Sequence, residues 1–442
     1  MRFETRRPPS WQACISCGNE TTELDPHPRC RSCGGLLEVV HRPPDVTREE
    51  LLAKFTERRG QRPGPTASGV WRFREVVLPS AESVVSHPEG NTPLLHRPAL
   101  DAWTGMMRLL LKHEGHNPTG SFKDRGMTVG ITQACRVGAT AVACASTGNT
   151  SASLAAYAAQ AGLPALVLVP KDGVSMGKLA QSLAYGARTL LVRGDFDDCL
   201  RLVDAASARL GVYLLNSINP FRLEGQKTIV LEMLQQLGWD APDWIVLPAG
   251  NLGNTAAFGK ALREARAWGL ISRMPRLAAV QAAGAAPFVR SFEEGFAAKH
   301  TVKAETVATA IRIGNPASYE RAVVAIRETN GVVLSVTDAE LMEAKAAVDG
   351  CGAGCEPASA ASIAGLRALV RTGVVDPAER VVAVLTGHVL KDPAALLQYH
   401  RETDPPPPRA NRPVEIEAKL EEVEKQLTAS SPPSRSSRSD PR

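Results

Sequence analysis

A chain of 442 residues is long enough for two globular domains, and 44% hydrophobic with 22% charged residues is an ordinary globular composition. The net charge of +5 is modest, with basic residues gathered in Arg2 to Arg7 and in the C-terminal tail, so no nucleic-acid partner is required. No run approaches about 18 apolar residues and the N-terminus is charged where a signal peptide is apolar, so no membrane association and a cytoplasmic location are expected.

Cys14-x2-Cys17 and Cys30-x2-Cys33 come first, each pair followed by a glycine, Gly18 or Gly34. Two such knuckles bring four thiolates into the reach of tetrahedral zinc and leave no open coordination position, so residues 1–42 read as a structural zinc ribbon. Disulfides or free thiols are the alternative, disfavoured in a reducing compartment. Cys135, Cys144 and Cys199 sit in apolar runs and read as core. Cys351 and Cys355 lack a second pair to complete a metal site.

Residues 43–70 read as a linker around a short helix, and Trp71 opens the main body. Met106 to Leu111 is a short apolar strand leading to Asn117-Pro118-Thr119-Gly120-Ser121-Phe122-Lys123-Asp124-Arg125-Gly126. Lys123 therefore stands on a loop entering a helix, where the positive helix end disfavours an ammonium and favours a free amine able to form a Schiff base. A surface lysine paired with Asp124 or a phosphate is the bland reading. From Gly126 onward short apolar strands alternate with helices: strands at 139–145, 165–169, 189–192, 212–215, 245–247, 277–281 and 380–385, helices at 151–161 and 197–210. That alternation predicts parallel α/β sheets, with ligands at strand C-terminal ends.

Two such ends stand out. Ser146-Thr147-Gly148-Asn149-Thr150-Ser151-Ala152-Ser153 has no bulky side chain and presents hydroxyls, an amide and a helix start, a pocket for an anion if these residues do more than cap the helix. Pro248-Ala249-Gly250-Asn251-Leu252-Gly253-Asn254-Thr255 lets the backbone approach a phosphate, but matches neither a Walker A loop nor Gly-x-Gly-x-x-Gly. Beyond Arg401, Pro405 to Pro408 stops the fold, Val414 to Leu427 is a charged helix, and Ser430 to Arg442 reads as disordered.

Taken together, Gly-Ser-Phe-Lys-Asp-Arg-Gly, Ala-Ser-Thr-Gly-Asn-Thr-Ser-Ala-Ser and Gly-Asn-x-Gly-Asn resemble the second structural class of pyridoxal-phosphate (PLP) enzymes, fold type II, and within it the threonine synthases. The likeness runs from about Trp71 to about Pro393 and takes in Asn216-Ser217-Ile218-Asn219-Pro220, Glu356-Pro357-Ala358-Ser359 and Thr386-Gly387-His388. It implies two three-layer parallel-sheet domains, a PLP-binding one at 71–126 and 226–400 and a smaller substrate one at 127–225, in a homodimer. Lys123 would hold PLP and shuttle protons, Asn149 would bond its 3-hydroxyl, and Gly250, Asn251, Leu252, Gly253 and Asn254 would cradle its phosphate. Thr386 would face its pyridine nitrogen. Ser146, Thr147, Asn149 and Thr150 would bind the substrate carboxylate, and Asn216, Ser217, Asn219 and Arg222 its phosphate.

The implied reaction converts O-phospho-L-homoserine and water to L-threonine and phosphate. Another fold type II lyase, a cysteate synthase or a threonine or serine dehydratase, is the alternative, and a noncatalytic zinc-ribbon protein that binds nucleic acid is the remote one. Two departures bear on the substrate: Lys112-His113-Glu114-Gly115-His116 sets two histidines near the pocket mouth, and His388-Val389 stands where Asn-Gly is frequent.

Overall fold

The computed structural model describes residues 8–60, 64–172 and 176–429. The basic run Arg2 to Arg7, the side chains of 176–178 and the tail from Ser430 lie outside the described residues. The chain divides into a unit ending at Leu396 and a second beginning at Leu397. In the second, the charged helix covers Leu420–Ala429, so it starts six residues later than its sequence spacing predicts.

Three sheets make up the first unit. Strands β1 (Ser10–Cys14), β2 (Glu20–Thr22) and β3 (Leu37–His41) form a small antiparallel sheet in the order β2-β1-β3. Strands β4 (Leu94–His96) and β5 (Leu109–His113) belong to a six-stranded sheet. Strands β6 (Ala141–Ala145), β7 (Ala165–Pro170), β8 (Arg188–Val192) and β9 (Val212–Leu214) form a parallel four-stranded sheet in the order β8-β7-β6-β9. The larger sheet then resumes with β10 (Trp244–Pro248), β11 (Arg276–Ala282), β12 (Val332–Val336) and β13 (Val381–Leu385), in the order β12-β11-β10-β13-β5-β4. Only β4 runs antiparallel in it. Strands β4 and β12 have no counterpart in the sequence reading.

The period of two along a strand explains the layering. In β10, Ile245 and Leu247 join one core with the helix Thr228–Gln236, while Trp244 and Val246 join another with the helix Pro357–Arg371. The smaller sheet is likewise covered on both faces. Cys144 and Val142 pack with the helices Lys123–Arg136 and Asn149–Ala161, and Ala143 and Ala145 pack with the helix Phe196–Leu210. Residues 43–70 are more than a spacer. The helix Arg48–Gly60 buries Leu51 and Phe55 in the main core, because its apolar positions fall four residues apart on one face.

The N-terminal sheet is wedged against both larger ones. Leu36 packs with Ala143, Ala145 and Ile218, and Gln133 donates its amide to the Glu23 carbonyl at 2.7 Å. On the other side His41 pairs with Glu224 at 2.6 Å, where Lys227 and Lys260 also meet that carboxylate at 2.5 Å. His41, Glu224 and Glu264 lie within 4.8 Å of one another, a metal-like grouping, but the Lys227 and Lys260 ammonium groups pair with both carboxylates.

Candidate active site

The lysine loop is stitched to the end of β13. Phe122 N–H donates to the Thr386 carbonyl at 3.0 Å, His388 N–H donates to that of Gly120 at 2.9 Å, and Ser121 forms a bridge with Gly387. Gly120 takes a φ of 85°, a left-handed value that glycine reaches without strain. Lys123 is the first residue of its helix. Asp124 is not its partner: both of that carboxylate's oxygens are used, by the Thr119 N–H (2.7 Å), the Thr119 hydroxyl (2.6 Å) and the Ser153 hydroxyl (2.6 Å). Among the described residues Lys123 makes no ion pair, and its ammonium sits 4.1 Å from the centre of the Phe122 ring. Burial, then the Arg222 guanidinium, push its pKa down to about 7 against the opposing pull of Glu356.

A buried ion network lies beneath the loop. Arg125, in the first turn of the lysine helix, pairs with Glu114 at 2.6 Å and Glu232 at 2.9 Å, and Glu232 also takes Lys112 and Arg72 at 2.6 Å each. The segment from Glu89 to Pro93 is anchored there too, because the N–H groups of Asn91 and Thr92 donate to Glu232 at 2.8 and 2.9 Å.

After β6, residues 146–150 are half-buried inside an otherwise buried stretch. Asn149 opens the next helix and donates its amide to Glu356 at 2.8 Å. Ser146 and Thr147 precede it and Thr150 follows, so three hydroxyls and the helix-start N–H groups sit together. Asn216 clamps the end of β6 by accepting from Ala145 N–H at 3.1 Å, with Ser217 beside it. Asn219 is the cap of the helix Pro220–Gln226, and its amide is donated to the Leu214 carbonyl at 2.9 Å, so this side chain is committed to the backbone.

Arg222 is 1% exposed. It donates Nη1 to the Leu215 carbonyl at 2.9 Å, its Nε has no partner, and no carboxylate pairs with it among the described residues. Burial pushes its pKa down to about 10. A buried, unpaired guanidinium is costly unless an anion completes it. The helix that carries it lies against the lysine helix at a spacing only glycine permits, since a Cβ on Gly225 would come within 1.7 Å of the Arg125 carbonyl oxygen.

After β10 the chain turns through Gly250 to Leu252, whose φ of 62° is left-handed, into the helix Gly253–Ala267. A Cβ on Gly250 would lie 2.8 Å from the Ile311 Cα, so the loop closes only around glycine. Leucine cannot cap a helix, and this helix start has no side-chain cap. Its N–H groups are thus left for an anion, next to the buried Thr255 hydroxyl and Asn254 Oδ1, which have no partners. Asn251 turns its side-chain oxygen to Ala317 N–H at 3.0 Å and secures the loop from outside.

Thr386 donates its hydroxyl to Glu356 at 3.0 Å and lies 2.9 Å from the Ser359 hydroxyl, which also accepts its N–H at 2.8 Å. Glu356 and Ser359 received no role from the sequence. Their one signal was that the stretch Glu356-Pro357-Ala358-Ser359 belongs to the family likeness, which assigned neither side chain a task. His113 corrects another expectation: it does not stand at a mouth but is fully buried, with Nε2 facing the carbonyls of Ala353 (2.9 Å) and Gly354 (2.7 Å). Its place on β5, inside the sheet, accounts for this. His116 is exposed, 4.7 Å from the His113 ring, and His388 is half-buried.

At the N-terminus the sulfurs of Cys14, Cys17, Cys30 and Cys33 all lie within 4.8 Å of one another. The two knuckles are alike: Gly18 N–H donates to Cys14 and Gly34 N–H to Cys30, each at 2.9 Å, with glycine φ values of 71° and 73°.

Residues 85–387 match the family described as pyridoxal-phosphate dependent enzyme. A threonine synthase of Methanocaldococcus jannaschii is 46% identical over 396 residues, 88% of this chain and 95% of that protein. A threonine synthase of Synechocystis is 50% identical over 319 residues, 71% of this chain and 80% of that protein. Among solved structures, threonine synthase from Escherichia coli superposes with a TM-score of 0.66 at 18% identity, over 95% of this chain and 99% of that one, a likeness of fold. With its lysine at a helix start, its uncapped glycine-loop helix and these relatives, the chain belongs to the pyridoxal-phosphate dependent enzymes, in the threonine synthase group.

Proposed function

We propose that this chain converts O-phospho-L-homoserine and water to L-threonine and phosphate. The observation that carries the substrate class is Arg222, a buried guanidinium without a carboxylate, close enough to depress the Lys123 amine. A dehydratase acting on an unphosphorylated amino acid would leave it unpaired.

The residues fit PLP. The uncapped helix start with Gly250, Asn251, Leu252, Gly253 and Asn254 suits its phosphate, Lys123 its aldehyde, Asn149 its 3-hydroxyl and Thr386 its pyridine nitrogen. Bound PLP supplies an electron sink for the pair left when a substrate proton departs. Lys123, titrating near neutrality, takes and returns protons at the substrate α and β carbons. Ser146, Thr147, Asn149 and Thr150 hold the α-carboxylate. Arg222, with Asn216, Ser217 and the helix capped by Asn219, binds the γ-phosphate and bears its charge as it leaves. Water then adds at the β carbon.

The same reading takes the enzyme as a cytoplasmic homodimer, with residues 71–126 and 226–400 binding PLP and 127–225 binding substrate. None of the nine cysteines is joined in a disulfide. No helix among the described residues is long and apolar enough to cross a membrane. The test supplies O-phospho-L-homoserine and O-phospho-L-serine in parallel and identifies the amino acid formed. Threonine from the first is expected; activity on phosphoserine alone would reassign the chain to a cysteate synthase.

Cys14, Cys17, Cys30 and Cys33 are read as a structural zinc site, supported by four sulfurs at chelating distance and two matching knuckles. Elemental analysis should find one zinc per chain, and a Cys17→Ser, Cys33→Ser double variant should lose the metal and melt earlier. Purified protein free of stoichiometric metal and unchanged in melting would refute the site.

A further inference from the structure

Glu356 has no part in the account above, yet the site converges on it. Asn149 donates to its Oε2 at 2.8 Å and Thr386 to its Oε1 at 3.0 Å, so the two side chains assigned to the cofactor ring share one carboxyl group. The glutamate is 3% exposed. It stands at the start of the helix Pro357–Arg371 but makes no side-chain cap there, which leaves its carboxyl free to serve the cleft. Its main chain is pinned by a 3.0 Å bond from its N–H to the Gly387 carbonyl. A Cβ on Gly387 would come within 2.5 Å of its carboxyl carbon, so glycine after Thr386 is what admits the side chain.

The charged and titratable groups around it come from three elements: Lys123 on the lysine helix, Lys391 after β13, and the buried Cys355 thiol beside it in sequence. Lys391 is committed elsewhere, donating to the Thr119 carbonyl at 3.0 Å and to Gln181. The Ser121 bridge to Gly387 and the Phe122 N–H bond to the Thr386 carbonyl bring the lysine loop to the same segment that Glu356 bonds, and there Glu356 favours the charged form of Lys123, against Arg222. Burial raises its own pKa, and the two donors and two lysines work in the opposite direction.

We propose that Glu356 is a positioning residue of the active site, one that locks the Asn149 amide and the Thr386 hydroxyl into a single unit and whose charge holds the Lys123 ammonium. The proposal rests on the PLP reading of this site but on no choice of substrate. Removing the charge should release the amine at lower pH, since an adjacent carboxylate favours the protonated form.

Capture of PLP by the full-length apoprotein reads this directly. The Lys123 nitrogen joins the aldehyde carbon and one water leaves, a step open only to the free amine. Its rate is followed by absorbance against pH for wild type, Glu356→Gln and, as an uncharged disturbance of the same cluster, Ser359→Ala. The midpoint should fall by about half a pH unit or more in Glu356→Gln and stay in place in Ser359→Ala. The titration of PLP itself is common to all three and cancels.

An unshifted midpoint in Glu356→Gln, or an equal shift in Ser359→Ala, overturns the proposal. If Glu356→Gln does not fold, Glu356→Asp decides. It keeps the charge but not the reach to both donors, so capture with the wild-type midpoint and faster PLP release is expected, and wild-type release refutes the locking role. A wrong substrate would show in the product assay and leave these curves unchanged.

Discussion

Lys123→Ala is expected to lose more than about 10⁴-fold of the phosphate-release rate, because in the proposed reaction one side chain both holds the cofactor and moves protons. Lys123→Arg fares no better: a guanidinium stays protonated throughout the working range. Single-turnover phosphate release on reconstituted protein measures the loss, and a variant within tenfold of wild type would remove Lys123 from the chemistry. The same change should make the apoprotein more stable at pH 6. The folded pKa of about 7 lies below the ordinary 10.5, so the unfolded chain binds the proton more tightly and stability rises with pH between those values. Below pH about 7 the full cost is present, and alanine relieves it. Thermal melts at pH 6 and pH 9 test this: the advantage of the variant should shrink at the higher pH.

Glu232→Gln is the costliest single change expected for the fold, about 3 to 5 kcal/mol by urea denaturation. Glu232 is fully buried and receives Arg72, Lys112 and Arg125, with Glu114 the second carboxylate of the cluster. Glutamine would leave three buried cations facing one carboxylate. These three cations outweigh burial and hold the Glu232 carboxyl well below the usual range. Its contribution is therefore present above the ordinary carboxylate pKa and is lost as pH falls through the folded value, so wild type should lose stability more steeply in acid than the variant. A loss under about 1 kcal/mol would mean the cluster is held by its main-chain bonds alone.

Much of the site was legible because its parts are local. A lysine among turn formers ahead of a helix, and two glycine- or serine-rich loops after apolar strands, follow from chain geometry over ten residues, and the fold repeats that βα unit. What escaped depends on contacts far apart in sequence. Glu356 meets Asn149 across 207 residues. Strand β12, with burial that alternates imperfectly, gains its identity from pairing with β11. His113 was placed near the pocket mouth from its position ahead of the lysine motif, whereas β5 carries it into the sheet beside Glu114, itself buried with Arg125. The helix in residues 43–70 gains its buried face from Phe73, which meets the Phe55 ring edge to face, and Trp239, which stacks on it.

The wedge formed by the N-terminal sheet sets an order of events during synthesis. His41 leaves the ribosome 183 residues before Glu224, its ion-pair partner. At bacterial or eukaryotic elongation rates that interval is about 10 to 40 s. For that time the two cysteine knuckles have all their own residues within reach of one another, while the outer edge of β3 has nothing to dock on. When the helix Pro220–Gln226 emerges, it brings Glu224 and Arg222 together, so the event that seats the N-terminal sheet also installs the guanidinium of the cleft.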